Sequence, residues 1–242
     1  METITIKMNY QELSYEAALM VARQILAQKN PVIGLPTGKT PIGMYKVLAQ
    51  FYRKGLLDFS HIVTFNIDEY HGIPASSRYS YHQFMITHLF RYINVQAKNT
   101  HILDGSTDNA LEECQRYEEK ILQVGGIDLL VLGLGLNGHI GFNEPGTSWD
   151  TTTRLVTLSQ ETRQREAVHF DSLDLTPTQG LTMGIKTIMN AKRLMLLAFG
   201  EEKAKIVAAS LKGPITKAVP ASILRLHPSL TVILDKEAAN LL

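Results

Sequence analysis

Short apolar, β-branched runs alternate along the chain with longer stretches whose apolar residues recur at helical spacing. Thr3–Lys7 reads as a first strand, followed by a helix over about Tyr10–Gln28. Val32–Leu35 reads as a buried strand stopped by Pro36, and a helix begins near Pro41. Ile62–Ile67 is the next strand, and its far end carries Asn66, Asp68 and Glu69. Helical periodicity returns at Tyr81–Phe90 and Asn109–Val124. Ile127–Leu132 is the most continuous apolar run, and it ends in Gly133-Leu134-Gly135. Beyond a loop rich in Gly and Asn, the pattern predicts a strand at Arg154–Leu158 and helices at Gln160–His169 and Gly180–Met189. A strand at Leu194–Phe199, a helix at Glu201–Leu211 and a last strand at Leu230–Leu234 complete the series.

Strands with nearly every position apolar must be covered on both faces, which is the parallel-sheet case. Strand alternating with helix throughout then predicts a Rossmann-like α/β fold of three layers, with a mostly parallel sheet and right-handed crossovers. No internal repeat, low-complexity segment or Pro/Ser-rich linker interrupts the series, so residues 1–242 are expected to form a single domain. In such sheets ligands bind beyond the carboxyl ends of the strands.

Composition narrows the partners. The 242 residues hold 24 Lys plus Arg against 23 Asp plus Glu, a net charge of +1, so no basic excess exists to drive binding to nucleic acid. The single cysteine, Cys114, excludes an intramolecular disulfide and any Cys-based zinc cluster. The start, METITIKMNYQELS, has neither the basic residues nor the apolar stretch of a secretory signal, and no apolar run approaches membrane-spanning length. A cytoplasmic protein without a membrane partner is expected.

Four strand ends carry candidate chemistry. Leu35-Pro36-Thr37-Gly38-Lys39-Thr40-Pro41 joins a buried strand to a helix; its hydroxyls, Gly38 and the helix dipole suit an anion, most simply a phosphate. It is not a nucleotide P-loop, because the glycine five positions before Gly38 is absent: Ile33 stands there. In Asn66-Ile67-Asp68-Glu69-Tyr70 two adjacent carboxylates must point to opposite sides, so one is expected to face the cleft as a general base. The segment Gly133–Gly146 is the densest, with Asn137, His139, Asn143 and Glu144 within eight residues. His139 is placed to shuttle a proton near neutral pH, with Glu144 to fix its tautomer. His139 with His71 or His82 lacks any recognised ligand spacing, so no metal is assigned. Lys203, in the first turn of a helix after Gly200, opposes the helix dipole and points to an anionic ligand.

Taken together, LPTGKTP (Leu35–Pro41), TFNIDEY (Thr64–Tyr70), SYHQFM (Ser80–Met85), LGLGLNGHIGFNEPG (Leu132–Gly146), LTMGIKTI (Leu181–Ile188) and LHPSLTVILD (Leu226–Asp235) resemble the glucosamine-6-phosphate deaminase family. The resemblance runs over nearly the whole chain. It implies an aldose–ketose isomerisation with deamination, converting glucosamine 6-phosphate to fructose 6-phosphate and ammonia in amino-sugar catabolism. By the same resemblance, Asp68 is the base moving a proton from C2 to C1, and His139 opens the pyranose ring with Asn137 and Glu144 in support. Thr37, Gly38, Lys39 and Thr40 match the phosphate loop, and Lys203 a phosphate-contacting lysine. No metal or organic cofactor is implied. The alternatives are galactosamine 6-phosphate as substrate, a 6-phosphogluconolactonase-like hydrolase on the same fold, and a sugar-phosphate sensor.

Several positions depart from the family pattern. Asn137 stands where many members have Asp, and Lys39 replaces a small residue in the phosphate loop. In Arg165-Glu166-Ala167-Val168-His169-Phe170, Val168 occupies the position of a phosphate-binding cation, and Lys39 is expected to supply the lost charge. Arg154 and Thr157 match allosteric-site residues of hexameric members, but Val156 replaces a lysine, and the chain ends at Leu242 without their C-terminal extension. A monomer or small homo-oligomer without allosteric activation is expected.

Overall fold

The computed structural model describes residues 3–170, 172 and 175–242, with the side chains of residues 165, 166 and 169 outside that description. Ten strands and seven α-helices alternate through these residues. The strands are β1 (Thr3–Lys7), β2 (Val32–Leu35), β3 (Val63–Asn66), β4 (Asp68–Tyr70), β5 (Thr100–His101), β6 (Leu129–Gly133), β7 (Arg154–Thr157), β8 (Gln179–Thr182), β9 (Leu194–Ala198) and β10 (Leu230–Asp235). The helices are α1 (Tyr10–Ala27), α2 (Ile42–Arg53), α3 (Tyr81–His88), α4 (Ala110–Gln123), α5 (Gln160–Glu166), α6 (Ile185–Met189) and α7 (Ala204–Leu211). Among these residues no helix is long and apolar enough to cross a membrane.

Seven strands form one sheet in the order β1-β10-β9-β6-β2-β3-β5, and every pairing in it is parallel. Alternate side chains of the central strands feed two cores. Val32, Phe65, Leu130, Leu132, Leu196 and Val232 face α4, α6 and α7, where Tyr117, Ile188 and Val207 meet them. Ile33, Leu35, Val131, Met195, Leu197 and Ile233 face α1 and α2, where Leu13, Val21, Tyr45 and Leu48 meet them. Three layers result, as the apolar runs predict. Strand order runs one way from β2 through β3 to β5 and the other way from β6 through β9 to β10, so the sheet reverses between β2 and β6. Their carboxyl ends open onto the crevice where such folds take ligands.

One expectation is corrected. The stretch Gly180–Met189 is not a single helix: Gln179–Thr182 is strand β8, and only Ile185–Met189 is helical. Gly184 stands between them as the N-cap of α6 in extended conformation (φ −76°, ψ 170°), and a Cβ there would meet the Thr151 carbonyl oxygen at 2.2 Å. Strand β8 pairs antiparallel with β4 and with β7, making a second, three-stranded sheet that the apolar pattern did not foretell. The chain leaves the main sheet at Ile67, whose carbonyl accepts from Met183 N at 2.8 Å, and enters the small sheet at Asp68. Asp68 therefore stands at the junction of the two sheets.

Candidate active site

A cleft of about 1110 Å³ opens at the reversal point. Thr37, Gly38, Lys39 and Thr40 line it from the end of β2, Asp68 from β4, His139 from the loop after β6, and Lys203 from the turn after β9. These seven expected site residues are brought together. Asn137 and Glu144 stand behind His139, as its supports.

The loop Thr37–Thr40 sits at the N-terminal end of α2, where backbone N–H groups and the helix dipole favour an anion. It is held from α1: the Tyr10 hydroxyl donates toward the carbonyls of Lys39 and Thr40, each at 3.1 Å, and accepts from Gly43 N at 2.8 Å. From below, the Tyr45 hydroxyl donates to the Pro36 carbonyl at 2.5 Å. Burial pushes the Tyr45 phenol well above its usual pKa, and the nearby Asp68 charge adds to that. Lys203 reaches the cleft from a 3₁₀ turn, Glu201–Lys203, whose leading residue Gly200 has φ +90°. Asp235, at the end of β10, accepts from Gly200 N with both oxygens at 3.1 Å and so fixes that turn. The Lys203 ammonium donates to the Leu134 carbonyl at 2.7 Å, across the cleft floor. Val168 is 77% exposed and lines the same cleft, while the neighbouring Arg165, Glu166 and His169 side chains lie outside the described residues.

The two adjacent carboxylates separate as strand alternation requires. Asp68 lines the cleft and is 7% exposed. Glu69, 1% exposed, points the other way. Its Oε1 accepts from Tyr70 N (2.8 Å) and Tyr81 N (2.9 Å), and its Oε2 from His82 N (2.9 Å), which caps α3. Burial raises its pKa to about 7 against those hydrogen bonds, which favour the charged form.

His139 is held by a relay. Glu144 can only accept, so the Asn137 amide must turn its Nδ2 toward Glu144 Oε2, and it donates there at 2.7 Å. The amide oxygen then lies 2.8 Å from His139 Nδ1, which must carry the proton. The basic lone pair is left on Nε2. Asn137 is therefore the direct partner of the imidazole, and Glu144 Oε2, at 3.7 Å from Nδ1, acts mainly through it. Burial tends to raise the Glu144 pKa, but Thr162, the His139 charge, Asn137 and Ser159 together hold it below the usual range. Asn143, fully buried, locks the loop by donating to the Ile140 and Met183 carbonyls at 2.8 Å and accepting from Arg154 at 2.9 Å.

Close approach explains two of the loop's glycines. A Cβ on Gly135 would lie 2.4 Å from three atoms of the His139 ring. A Cβ on Gly141 would stand 2.8 Å from Ile67 and Thr182 side-chain atoms and 3.6 Å from Asp68 Oδ2. Gly141 thus lets the histidine loop pack onto the Asp68 carboxylate. Sequence reasoning missed Ser159 and Thr162, both hydrogen-bonded to Glu144 Oε1. Their only sequence signal is the S-x-x-T spacing of a helix start. It also missed Tyr79, Tyr81, Phe142 and Phe170, whose rings line the same cleft. Among the described residues, no group of three or more His, Cys, Asp or Glu side chains is placed to hold a metal ion.

Known proteins resemble the chain over nearly its whole length. Residues 7–233 match the family model described as glucosamine-6-phosphate isomerases/6-phosphogluconolactonase. The chain is 47% identical over 99% of its length to a glucosamine-6-phosphate deaminase of Thermoanaerobacter pseudethanolicus, covering 94% of that protein. It is 46% identical to one of Clostridium acetobutylicum, covering both chains completely. A solved structure described as a monomeric glucosamine-6-phosphate deaminase superposes with a TM-score of 0.97 at 42% identity, over 99% of this chain and 100% of that one. The chain belongs to the glucosamine-6-phosphate isomerase/6-phosphogluconolactonase family.

Proposed function

We propose that the chain is a glucosamine-6-phosphate deaminase, converting glucosamine 6-phosphate and water to fructose 6-phosphate and ammonia. One observation carries the proposal: a carboxylate, a histidine with Nε2 basic, and an anion-binding loop with a lysine meet in one cleft at the sheet's reversal point. Relatives at least 46% identical to this chain over the aligned residues, and bearing that name, support it.

In this proposal the phosphate sits on Thr37–Thr40 at the α2 terminus, with Lys203 completing its shell. The sugar then extends toward Asp68 and His139. His139 takes the O1 proton of the pyranose on Nε2 and returns a proton to the ring oxygen O5, which opens the ring. Asn137 and Glu144 stabilise the imidazolium between these two transfers. Asp68 removes the C2 proton of the open-chain sugar and delivers it to C1. The resulting C2 imine is hydrolysed: water oxygen becomes the C2 carbonyl, and nitrogen leaves as ammonia. The partly desolvated position of Asp68 suits it to both halves of the C2-to-C1 transfer. Lys39 supplies charge from the loop side where Val168 cannot. Similarity to a neighbour described as monomeric supports a monomer or small homo-oligomer.

The test is direct. Purified protein incubated with glucosamine 6-phosphate or galactosamine 6-phosphate should release ammonia, faster from the first. Ammonia from galactosamine 6-phosphate alone would move the assignment to the C4 epimer.

A further inference from the structure

The Glu144 carboxylate is gripped from two sides. Its Oε2 faces the Asn137–His139 relay at 2.7 and 3.7 Å. Its Oε1 is held by hydroxyls from a different part of the fold, Ser159 at 3.1 Å and Thr162. Ser159 is the N-cap of α5: its oxygen accepts from Thr162 N at 3.1 Å and bonds the Thr162 hydroxyl at 3.0 Å. Thr162 is 5% exposed and itself lines the cleft. Along the same segment, Gln164, Val168 and Phe170 form part of the cleft wall. Resting on the deaminase proposal, we infer that Thr162, with Ser159, is a positioning residue of the histidine relay, so that the wall segment starting at α5 sets Glu144 against Asn137 and His139.

The physical case is one of valence and charge. A carboxylate with one oxygen on the relay can rotate or drift unless its second oxygen is pinned, and two hydroxyls pin it. The Thr162 hydroxyl is one of the hydrogen-bond donors that keep Glu144 ionised against its burial. His139, charged once Nε2 takes a proton, is the titratable group set against Glu144, and Asn137, Ser159 and Thr162 are neutral. Loss of the Thr162 hydroxyl therefore weakens the ionised form and loosens the amide that fixes the His139 tautomer. Neither consequence touches the phosphate loop.

Thr162→Val keeps shape and removes the hydroxyl, so it is the test variant. Expected is a fall in kcat of about tenfold with KM within about twofold, as for an interaction felt mainly in the transition state. The acid limb of the kcat–pH profile should move to higher pH, because Glu144 then protonates more readily. Thr162→Ser, which retains the hydroxyl, should return both toward wild type. If the valine variant fails to fold, Ser159→Ala carries the same expectation at about threefold in kcat. A raised KM with kcat and the pH profile unchanged would overturn the inference and make Thr162 a wall residue only. Wild-type protein that releases no ammonia from either amino-sugar phosphate would instead overturn the deaminase proposal on which it rests.

Discussion

The two walls of the cleft are built on different foundations. One is made of loops at the ends of β2, β6 and β9, strands whose sheet is buried on both faces. It offers backbone dipoles, hydroxyls, Lys203 and His139. The other is aromatic: it is drawn from β4, from the start of α3 with Tyr79 before it and from the segment 160–170, and Phe142 of the loop after β6 packs against it. Tyr79 stacks on Phe170 at 4.8 Å and 25°, Tyr81 on Phe142 at 6.0 Å and 26°, and the Tyr81 hydroxyl reaches that of Tyr70 at 3.1 Å. A rigid sheet can hold donors to the tolerance that proton transfer needs, while packed rings exclude water and present flat apolar surface. Asp68 and Glu69 divide along the same line: the first serves the cleft, and the second ties the aromatic wall to β4 through the α3 cap.

The largest expected effect lies at the junction. Asp68→Asn should lower kcat by about 10²–10⁴-fold with little change in KM, since an amide cannot accept the C2 proton. Steady-state kinetics of the variant check this. His139→Gln should slow the closed pyranose about 10²-fold while sparing an open-chain analogue, because ring opening is the step assigned to the imidazole. Equal slowing of both substrates would give His139 a different part. On the loop wall, Lys39→Gly should raise KM by about 10–100-fold and leave kcat almost unchanged, a lost charge-assisted contact being worth ~1.5–3 kcal/mol. Adding Val168→Arg to that variant should recover most of the loss.

On the aromatic wall, Glu69→Gln should change turnover least, by no more than about threefold, and act on stability instead. The folded pKa is about 7 against a usual value of 4.5. Because the folded state binds the proton more tightly, this group's contribution falls as pH rises from about 4.5 to 7, by about 3 kcal/mol in all. Denaturant unfolding between pH 5 and 8 should show that decline in the wild type and its absence in the glutamine variant.

How much of this was legible beforehand follows from what each signal measures. The parallel layers were readable because runs such as Leu129–Leu132 are apolar at every position, and no half-exposed strand is. The opposed directions of Asp68 and Glu69 followed from strand alternation alone. The small sheet was not readable, because β4 has three residues and only Met183 and Gly184 separate the four residues of β8 from the five of α6. Periodicity over so short a span does not separate strand from helix. The resemblance gave Asn137 and Glu144 alike as supports of His139, and only the fold ranks them, the amide at 2.8 Å from Nδ1 and the carboxylate at 3.7 Å. Thr162 lies 18 residues from Glu144 in sequence, and only the fold brings its hydroxyl there.

The most direct measurement follows glucosamine 6-phosphate deuterated at C2 through the wild-type protein, with ammonia and the label assayed together. Deuterium should leave C2 in step with ammonia, part of it appearing at C1 of fructose 6-phosphate and the rest in solvent. Retention of the label at C2, or hydrolysis of 6-phosphogluconolactone without any ammonia from the amino sugar, would contradict the account.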